Sequence, residues 1–302
     1  MNASSNLARE VQIGRDHDGQ RLDNYLMREL GGVPRALVYR LIRTGQVRIN
    51  GGRAKPMRKL AAGDRVRIPP VRDASAATVR VPDEVIDQIR SRILHRQEEF
   101  IVVDKPAGMA SQAGSGLAWG LNDVLARIEP RAVPVHRLDR DTSGVMLFAL
   151  GSANARALQQ AFRGNQVEKR YLALLDGHLE HARVDVDQPL LRIRDASGQR
   201  KVVVDPEGQP ARSSFRRLEA LPRHDFVEVR IETGRTHQIR AHARWLGCPL
   251  IGDDRYNPNP PPAGLSRMFL HAGFLRLAWP EDQVFSTPLP APLEQALEAL
   301  RR

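Results

Sequence analysis

The sequence predicts an α+β protein with two domains: a small basic N-terminal domain and a larger domain built on a mixed, largely antiparallel sheet. The chain has 302 residues, 41% of them hydrophobic, which is enough for two cores. Helical and strand-like segments are mixed without a strict strand–helix–strand alternation, which favours α+β. Most of the net charge of +11 is concentrated between Arg15 and Arg72, where fourteen Arg and Lys face five Asp and Glu.

Residues 15–72 are predicted to form the N-terminal domain. A first helical pattern begins at residues 20–26 and ends at Gly31-Gly32, and a second helix covers residues 34–43. One face of the second helix is apolar, with Leu37, Val38, Leu41 and Ile42. The opposite face carries Arg35, Tyr39, Arg40 and Arg43. Short strands are expected at residues 47–52 and 66–70. Such a concentrated positive charge is typical of a polyanion-binding domain, although a basic, solvated surface has the same composition.

Residues 73–88 are predicted to be a linker, because residues 73–78 are small and polar, and a short connecting helix is expected at residues 82–86. This leaves residues 89–302 as the larger domain. Apolar runs predict strands at residues 93–94, 100–103, 145–150, 171–175 and 227–231. Helices are expected at residues 152–162, with Ser152 as the cap, and at residues 236–246. The proline-rich segment 257–262 is expected to be a loop.

Several classes of protein are disfavoured by the composition. No stretch of 18 apolar residues could span a membrane, and no signal peptide is visible, so we expect a cytoplasmic protein. The single cysteine, Cys248, excludes an internal disulfide. His237 and His242 do not have the spacing of a zinc-protease helix, and we expect no metal and no other cofactor. A monomer is the simplest assumption.

The strongest candidate for chemistry is the segment 136–144, which reads HRLDRDTSG and precedes a wholly apolar strand. Three cationic residues of this segment neighbour the carboxylates of Asp139 and Asp141. Nearby arginines favour the ionised form of a carboxylate, which can then act as a nucleophile or a base. A salt-bridged turn that ends the strand is the structural alternative. A glycosidase would need two carboxyl groups on either side of the scissile bond, and this spacing does not favour it.

Two further segments carry candidate site residues. Residues 234–242, GRTHQIRAH, place a glycine turn before a helix in which His237, Arg240 and Arg244 share one face. That face is either exposed to solvent or forms the wall of a cleft, where an arginine could pair with a carboxylate. The N-terminus of the helix would also favour a bound phosphate. Lys169-Arg170-Tyr171 opens a strand, where the tyrosine could pack in the core or stack on a base.

Together these segments resemble the RluA family of pseudouridine synthases. Residues 136–144 are similar to the family signature around its catalytic aspartate, and residues 234–242 are similar to a later motif. Residues 104–108, DKPAG, match a first motif, and residues 15–72 resemble an S4 domain, an RNA-binding module. Residues 32–35 and 66–72 resemble the RluC subgroup, whose members modify large-subunit ribosomal RNA. The resemblance covers almost the whole chain beyond residue 12.

The resemblance implies a reaction and a set of residue roles. Asp139 is the catalytic residue, acting as a nucleophile at C1′ of a uridine or as a base on the sugar. Tyr171 stacks on the target base, Arg240 pairs with Asp139, and Arg137 enters the space that the flipped nucleotide leaves. Arg35, Arg40 and Arg43 are expected to contact RNA phosphates, and ribosomal RNA, free or in an assembling particle, is the expected partner.

Two other functions stay open at this point. A non-enzymatic RNA-binding protein of ribosome assembly would explain the charge, but not the signature around Asp139. A synthase of the same family that acts on transfer RNA or on other ribosomal uridines would share every motif.

Overall fold

The computed structural model describes residues 8–30, 33, 35–71, 81–113, 118–164, 166–195, 198–262 and 264–302, with only the backbone at residues 35 and 36. The chain divides into two compact units, Met1–Arg80 and Val81–Arg302. Within the described residues, no helix is long and apolar enough to cross a membrane.

The N-terminal unit packs two helices on a small antiparallel sheet. Its helices are α1 (Leu22–Glu29) and α2 (Arg35–Arg43), and a 3₁₀ turn covers Arg15–His17. Its strands lie in the order β1-β4-β2-β3, with bounds β1 (Arg9–Gln12), β2 (Arg48–Ile49), β3 (Gly52–Arg53) and β4 (Arg65–Ile68). Val38 and Ile42 of α2 are buried against Leu22 and Leu26 of α1. Gly31, Gly32 and Pro34, which the sequence places around the start of the second helix, lie outside the described residues.

Residues 73–80, half of the predicted linker, also lie outside the described residues. The C-terminal part of the linker forms the helix α3 (Asp83–Arg90), with acidic residues in the first turn and Arg90 in the last, as the helix dipole favours. Ile89 of this helix is fully buried in a hydrophobic cluster of the larger unit.

The larger unit is built on a ten-stranded sheet. Its main path has the order β10-β13-β14-β9-β15-β8-β6-β5, with β16 paired to β15 and β7 paired to β8. These strands are β5 (Ile93–Arg96), β6 (Phe100–Lys105), β7 (Ala132–Pro134), β8 (Ser143–Leu150), β9 (Val167–Asp176), β10 (Arg183–Asp187), β13 (Arg212–Ala220), β14 (His224–Ile231), β15 (Leu270–Leu277) and β16 (Gln283–Ser286). A separate hairpin consists of β11 (Leu190–Arg194) and β12 (Arg200–Val204). The helices are α4 (Leu121–Ile128), α5 (Ser152–Arg163), α6 (Gln238–Trp245) and α7 (Ala291–Leu300).

Strand β8 is apolar throughout because both of its faces are covered, a pattern typical of central strands. Met146 and Phe148 pack in one cluster with residues of α3 and α4. Val145 and Leu147 point the other way and pack against residues of α5. The predicted α+β class with a mixed, largely antiparallel sheet is confirmed.

Two neighbouring strands of the sheet, β8 and β15, approach each other unusually closely. All pairings between described strands are antiparallel except that of β8 with β15, where Ser143 and Gly144 pair with His271 and Ala272. Gly144 has φ +116°, and a Cβ atom there would lie 2.2 Å from the carbonyl oxygen of Ala272. This position therefore requires glycine, and the loop that precedes it is held close to β15.

Two predicted helix starts are wrong in detail. Ser152 does not cap α5: the N-cap is Gly151, at φ 89°, and no side chain caps the helix. Helix α6 begins at Gln238 rather than Thr236, because His237 adopts the left-handed conformation at φ 51°. The buried Gln238 explains this turn, since its Oε1 accepts hydrogen bonds from Thr233 Oγ1 at 2.7 Å and from Arg235 N at 3.0 Å.

Replacing Gly144 with alanine is expected to lower the free energy of unfolding of the larger unit by about 3 kcal/mol, because overpacking against Ala272 adds to backbone strain. Urea unfolding followed by tryptophan fluorescence measures this directly, since all three tryptophans (Trp119, Trp245 and Trp279) lie in the larger unit. Gly234→Ala is the matched control, because its Cβ would meet no atom within 4 Å. Equal stability of the two variants would contradict the steric account.

Candidate active site

The centre of the site is the guanidinium of Arg240, which lies between two carboxylates. Its Nε and Nη2 donate hydrogen bonds to Asp253 Oδ2 and Oδ1 at 2.7 and 2.6 Å. Its Nη1 donates a longer bond, 3.3 Å, to Asp139 Oδ2. Burial alone would lower the pKa of Arg240, but the hydrogen bonds and charge of Asp253 and the charge of Asp139 raise it above its ordinary value. A permanent cation therefore faces Asp139, and its orientation is fixed by Asp253.

The two aspartates differ in exposure. The Asp253 side chain is fully buried, whereas 21% of the Asp139 side chain is exposed. Asp253 also accepts backbone hydrogen bonds from Arg255 and Tyr256, at 3.1 and 3.2 Å. Asp139 is thus the carboxylate that a ligand can reach, and Asp253 is a supporting group.

His237 also lines the site, and Tyr256 contacts its imidazole without lining the site itself. Tyr256 Oη lies 2.9 Å from His237 Nδ1 and accepts a hydrogen bond from Val202 N at 2.9 Å, so its own proton is directed to the imidazole. Burial lowers the pKa of His237 to about 4, although the charge of Asp139 opposes the shift. His237 is therefore neutral at neutral pH, with Nε2 at 3.8 Å from Asp139 Oδ2.

Tyr171 extends from the middle of β9 into the same pocket. A small cavity of about 60 Å³ brings together Asp139, Tyr171, Arg240 and Arg137. Burial, with a contribution from the charge of Asp139, raises the pKa of the Tyr171 phenol. A neutral aromatic ring beside a carboxylate suits a bound heterocyclic base.

Arg137 is exposed at the entrance of this cavity. No hydrogen bond or ion pair holds its side chain within the described part of the chain. The four residues that the sequence predicts for catalysis and substrate binding therefore line one cavity, and the arginine at the entrance is free to move toward a ligand.

The backbone of the loop that carries Asp139 is held in place by hydrogen bonds to buried polar side chains. Ser111 Oγ donates to the Leu138 carbonyl at 2.7 Å and accepts from Leu138 N at 3.1 Å. Lys105, fully buried, donates to the carbonyls of Pro106, Met109 and Arg140 at 2.8, 2.6 and 3.0 Å. Burial lowers the pKa of Lys105 to about 7. These bonds fix the backbone on both sides of Asp139.

His136 is not one of the cations of the site, which corrects the reading of the segment 136–144. Its Nε2 accepts a hydrogen bond from Leu147 N at 2.9 Å, and its ring stacks on Phe162 with centroids 4.6 Å apart. Burial, with a contribution from the positive charge of Lys169, lowers its pKa to about 3. The neutral imidazole is a structural acceptor that ties the loop to β8.

Nothing in the sequence points to Asp253 or Tyr256, and Lys105 stands there in the motif at residues 104–108 without a role of its own. Asp253 and Tyr256 lie in a turn after α6 with no local signal, and only the fold brings them to Arg240. Arg244, which shares a predicted helix face with Arg240, is exposed instead of facing the site. In the described residues, no group of three or more His, Cys, Asp and Glu could hold a metal ion.

A second candidate surface lies on the N-terminal unit. A groove of about 410 Å³ is lined by Tyr39, Arg40, Ile42, Arg43, Arg53, Ala54, Lys55 and Pro56. Its four cations are exposed, and no carboxylate is among the lining residues. Tyr39 is partly buried, and its hydroxyl donates to Asp23 at 2.8 Å. The predicted contacts Arg40 and Arg43 are thus joined by Arg53 and Lys55, whereas the side chain of Arg35 lies outside the described residues.

Comparison with known families finds two matches in this chain. The sequence pattern of the RNA pseudouridylate synthase family matches residues 99–245, which contain Asp139, Tyr171 and Arg240. The S4 domain pattern matches residues 20–66, which contain the basic groove.

Relatives match along nearly the whole chain. Ribosomal large subunit pseudouridine synthase C of Yersinia pestis is 39% identical over 315 residues, covering 100% of this chain and 98% of the relative. The protein of that name from Escherichia coli is 39% identical and covers 96% of each chain. Among solved structures, human RNA pseudouridylate synthase domain containing 4 has a TM-score of 0.62 at 25% identity, covering 72% of this chain and 96% of that one.

Replacing His136 with glutamine is expected to flatten the pH dependence of stability. The unfolded chain protonates His136 below about pH 6.5, whereas the folded chain keeps it neutral down to about pH 3. Its contribution is therefore complete above pH 6.5 and is lost as the pH falls through that window. Glutamine keeps an acceptor for Leu147 N and does not titrate.

Urea unfolding at pH 6, 5 and 4 measures the effect. The slope of the unfolding free energy against pH should be shallower in His136→Gln than in the wild type by roughly 1 kcal/mol per pH unit. His181→Gln is the control, because the His181 side chain is 75% exposed. An unchanged slope in His136→Gln would show that this imidazole is already solvated in the folded protein.

Proposed function

We propose that this chain, which belongs to the RNA pseudouridylate synthase family, converts specific uridines of large-subunit ribosomal RNA to pseudouridine. The relatives that match over their full length carry the name ribosomal large subunit pseudouridine synthase C, which supports this substrate. The S4 domain supports an RNA partner. We further propose that the enzyme works as a cytoplasmic monomer.

The observation that supports catalysis most strongly is the placement of Asp139. Its carboxylate is partly exposed in a small pocket, 3.3 Å from a guanidinium that a buried aspartate holds in place. A fixed cation holds a carboxylate in one orientation, which both nucleophilic and basic catalysis require. We therefore assign Asp139 as the catalytic residue and Arg240 as its partner.

The reaction is an isomerisation, and its atoms balance without a co-reactant. The N1–C1′ bond of uridine breaks, the uracil turns, and a C5–C1′ bond forms. The proton on C5 is then lost, and N1 gains a proton. Asp139 either attacks C1′ or removes a sugar proton, and one carboxylate suffices because the base stays bound and water does not attack. No cofactor is needed for this sequence of steps.

Tyr171 and Arg137 have roles that follow from base flipping. A uridine must leave its stack to reach Asp139, which costs a few kcal/mol. Stacking of the flipped base on Tyr171 would offset part of this cost. Arg137, exposed at the entrance, is suited to fill the space that the uridine leaves in the RNA.

The groove on the N-terminal unit is proposed to supply affinity. Arg40, Arg43, Arg53 and Lys55 are positioned to contact phosphates, which fix the RNA without reading its sequence. Binding should therefore weaken steeply with salt.

Tritium release tests the activity. Large-subunit ribosomal RNA transcribed with [5-³H]uridine should lose tritium to water when the wild-type enzyme is added, because C5 loses its hydrogen. Asp139→Asn should reduce the rate by about 10³-fold or more while RNA affinity stays within threefold. Release from transfer RNA but not from ribosomal RNA would overturn the substrate, and full activity of Asp139→Asn would overturn the assignment of the residue.

Asp253→Asn is expected to lower kcat by about a hundredfold with little change in RNA affinity, because Arg240 loses its orienting partner. Single-turnover kinetics at saturating RNA measure the rate, and a fluorescence melt checks that the variant is folded. Asp254→Asn is the matched control, since the neighbouring Asp254 is exposed and its loss should leave the rate unchanged. Equal rates for the two variants would remove Asp253 from the mechanism.

Deleting residues 1–80, which form a separate compact unit, is expected to spare the fold of residues 81–302 and to raise the Kd for RNA by at least about tenfold. Filter binding at several salt concentrations measures Kd, and its salt dependence should become shallower. A triple Ala variant of Arg40, Arg43 and Arg53 in the full chain should reproduce most of the loss. Unchanged binding by both proteins would place the RNA-binding surface elsewhere.

A further inference from the structure

Lys169 is a buried ammonium group that lacks an adequate partner within the described residues. It is only 8% exposed, and its one hydrogen bond, to the carbonyl of Glu232, is 3.5 Å long. A bond of that length is weak, and no carboxylate forms an ion pair with Lys169 in the described part of the chain. Burial lowers the pKa of Lys169 to about 8, so the group is still mostly protonated at neutral pH. A buried cation with so little compensation is stabilised when an anion binds to it.

Lys169 borders a cleft of about 460 Å³ that adjoins the Asp139 pocket. The two cavities share Arg137, Tyr171, Ile231 and Arg235 as walls. Four Arg and Lys residues line the larger cleft, namely Arg137, Arg163, Lys169 and Arg235. The cleft is therefore strongly positive and open to solvent, as a binding site for a polyanion would be.

The only carboxylate that lines this cleft, among the described residues, is that of Glu232, and it is directed elsewhere. Glu232 is exposed and lies 3.7 Å from Arg212 Nη1. Arg163 and Arg235 are also exposed, and each uses only its Nε, on a backbone carbonyl. Their Nη groups have no hydrogen bond within the described chain, so both arginines can reach a ligand in the cleft.

The strand geometry sets the distance between the cleft and the catalytic pocket. Lys169 and Tyr171 are two residues apart on β9, so their side chains leave the same face of the sheet about 6.6 Å apart along the strand. Ile231 pairs with Lys169 on the neighbouring strand and lines both cavities. A nucleotide stacked on Tyr171 would thus have its neighbour in an extended RNA strand beside Lys169.

We propose that Lys169, with Arg163 and Arg235 at the rim, binds a backbone phosphate of the RNA strand next to the flipped uridine. This subsite rests on the proposed function, because it presupposes that a uridine occupies the Asp139 pocket. It acts on substrate affinity and on the placement of the strand, and it takes no part in bond breaking.

Single methylphosphonate linkages test the proposal, because each removes the charge of one phosphate. The probe is an RNA oligonucleotide around a uridine that the wild-type enzyme modifies, with one neutral linkage at each of the three positions on either side. Kd is measured for the wild type, Lys169→Met and Arg156→Met. Arg156 is the charge-matched control, because it is exposed on α5 and does not line the cleft.

At one linkage, the Kd of the wild type and of Arg156→Met should rise about tenfold, whereas the Kd of Lys169→Met should rise much less, because only the rim arginines then remain to contact that phosphate. Lys169→Met should bind the unmodified RNA about tenfold more weakly, with an unchanged single-turnover rate at saturation. If every linkage weakens wild type and Lys169→Met by the same factor, the proposal is wrong. It is also wrong if Lys169→Met binds RNA with unchanged Kd but has a lower single-turnover rate, because Lys169 would then take part in catalysis.

Arg163→Met keeps the test valid if Lys169→Met does not fold. Arg163 and Arg156 are exposed on the same helix, but only Arg163 lines the cleft. Arg163→Met should therefore weaken RNA binding and reduce its salt dependence by roughly 0.7 in log–log slope, and Arg156→Met should not. Equal effects of the two would overturn the subsite. Failure of the wild type to form pseudouridine in any ribosomal RNA would instead overturn the proposed function.

Discussion

The site depends on one guanidinium shared by two carboxylates of different exposure. Arg240 is bound in a bidentate pair by the buried Asp253, and its remaining nitrogen faces Asp139. A buried ion pair contributes little net stability but costs a great deal if one partner is lost, so all three residues are constrained together. The surplus negative charge of this group is located on the one carboxylate that a substrate can touch.

Desolvation determines which other groups near the site are charged. His136 and His237 are neutral, and each serves as a hydrogen-bond acceptor at one ring nitrogen. Lys105 is enclosed by backbone carbonyls, whereas Lys169, at the wall of an open cleft, has only one long bond. Lys105 therefore supports the loop, whereas Lys169 is available to a ligand.

Part of the site could be predicted from the sequence, because some of its residues lie in contiguous motifs. Asp139 stands before a strand that is apolar on both faces, and Arg240 stands on a helix after a glycine turn, so both could be identified locally. Asp253 could not, because its turn has no distinctive pattern and its partner lies on another element. The sequence indicates Lys169 only as a neighbour of Tyr171, because its burial and its place in a cleft beside the Asp139 pocket follow from the packing of β9 and not from the local sequence. The charge state of His136 depends on its stacking against Phe162, which no local pattern encodes.

The proposed activity, isomerisation of uridines in large-subunit ribosomal RNA by Asp139 with Arg240 as its partner, can be tested in cells. The most direct measurement maps pseudouridine in that RNA from cells that lack the gene, with carbodiimide labelling and primer extension, and repeats it after expression of the wild type or Asp139→Asn. Specific sites should disappear without the gene, return with the wild type, and stay absent with the variant. Unchanged sites in the deletion strain would rule out this substrate, and full rescue by Asp139→Asn would rule out Asp139 as the catalytic residue.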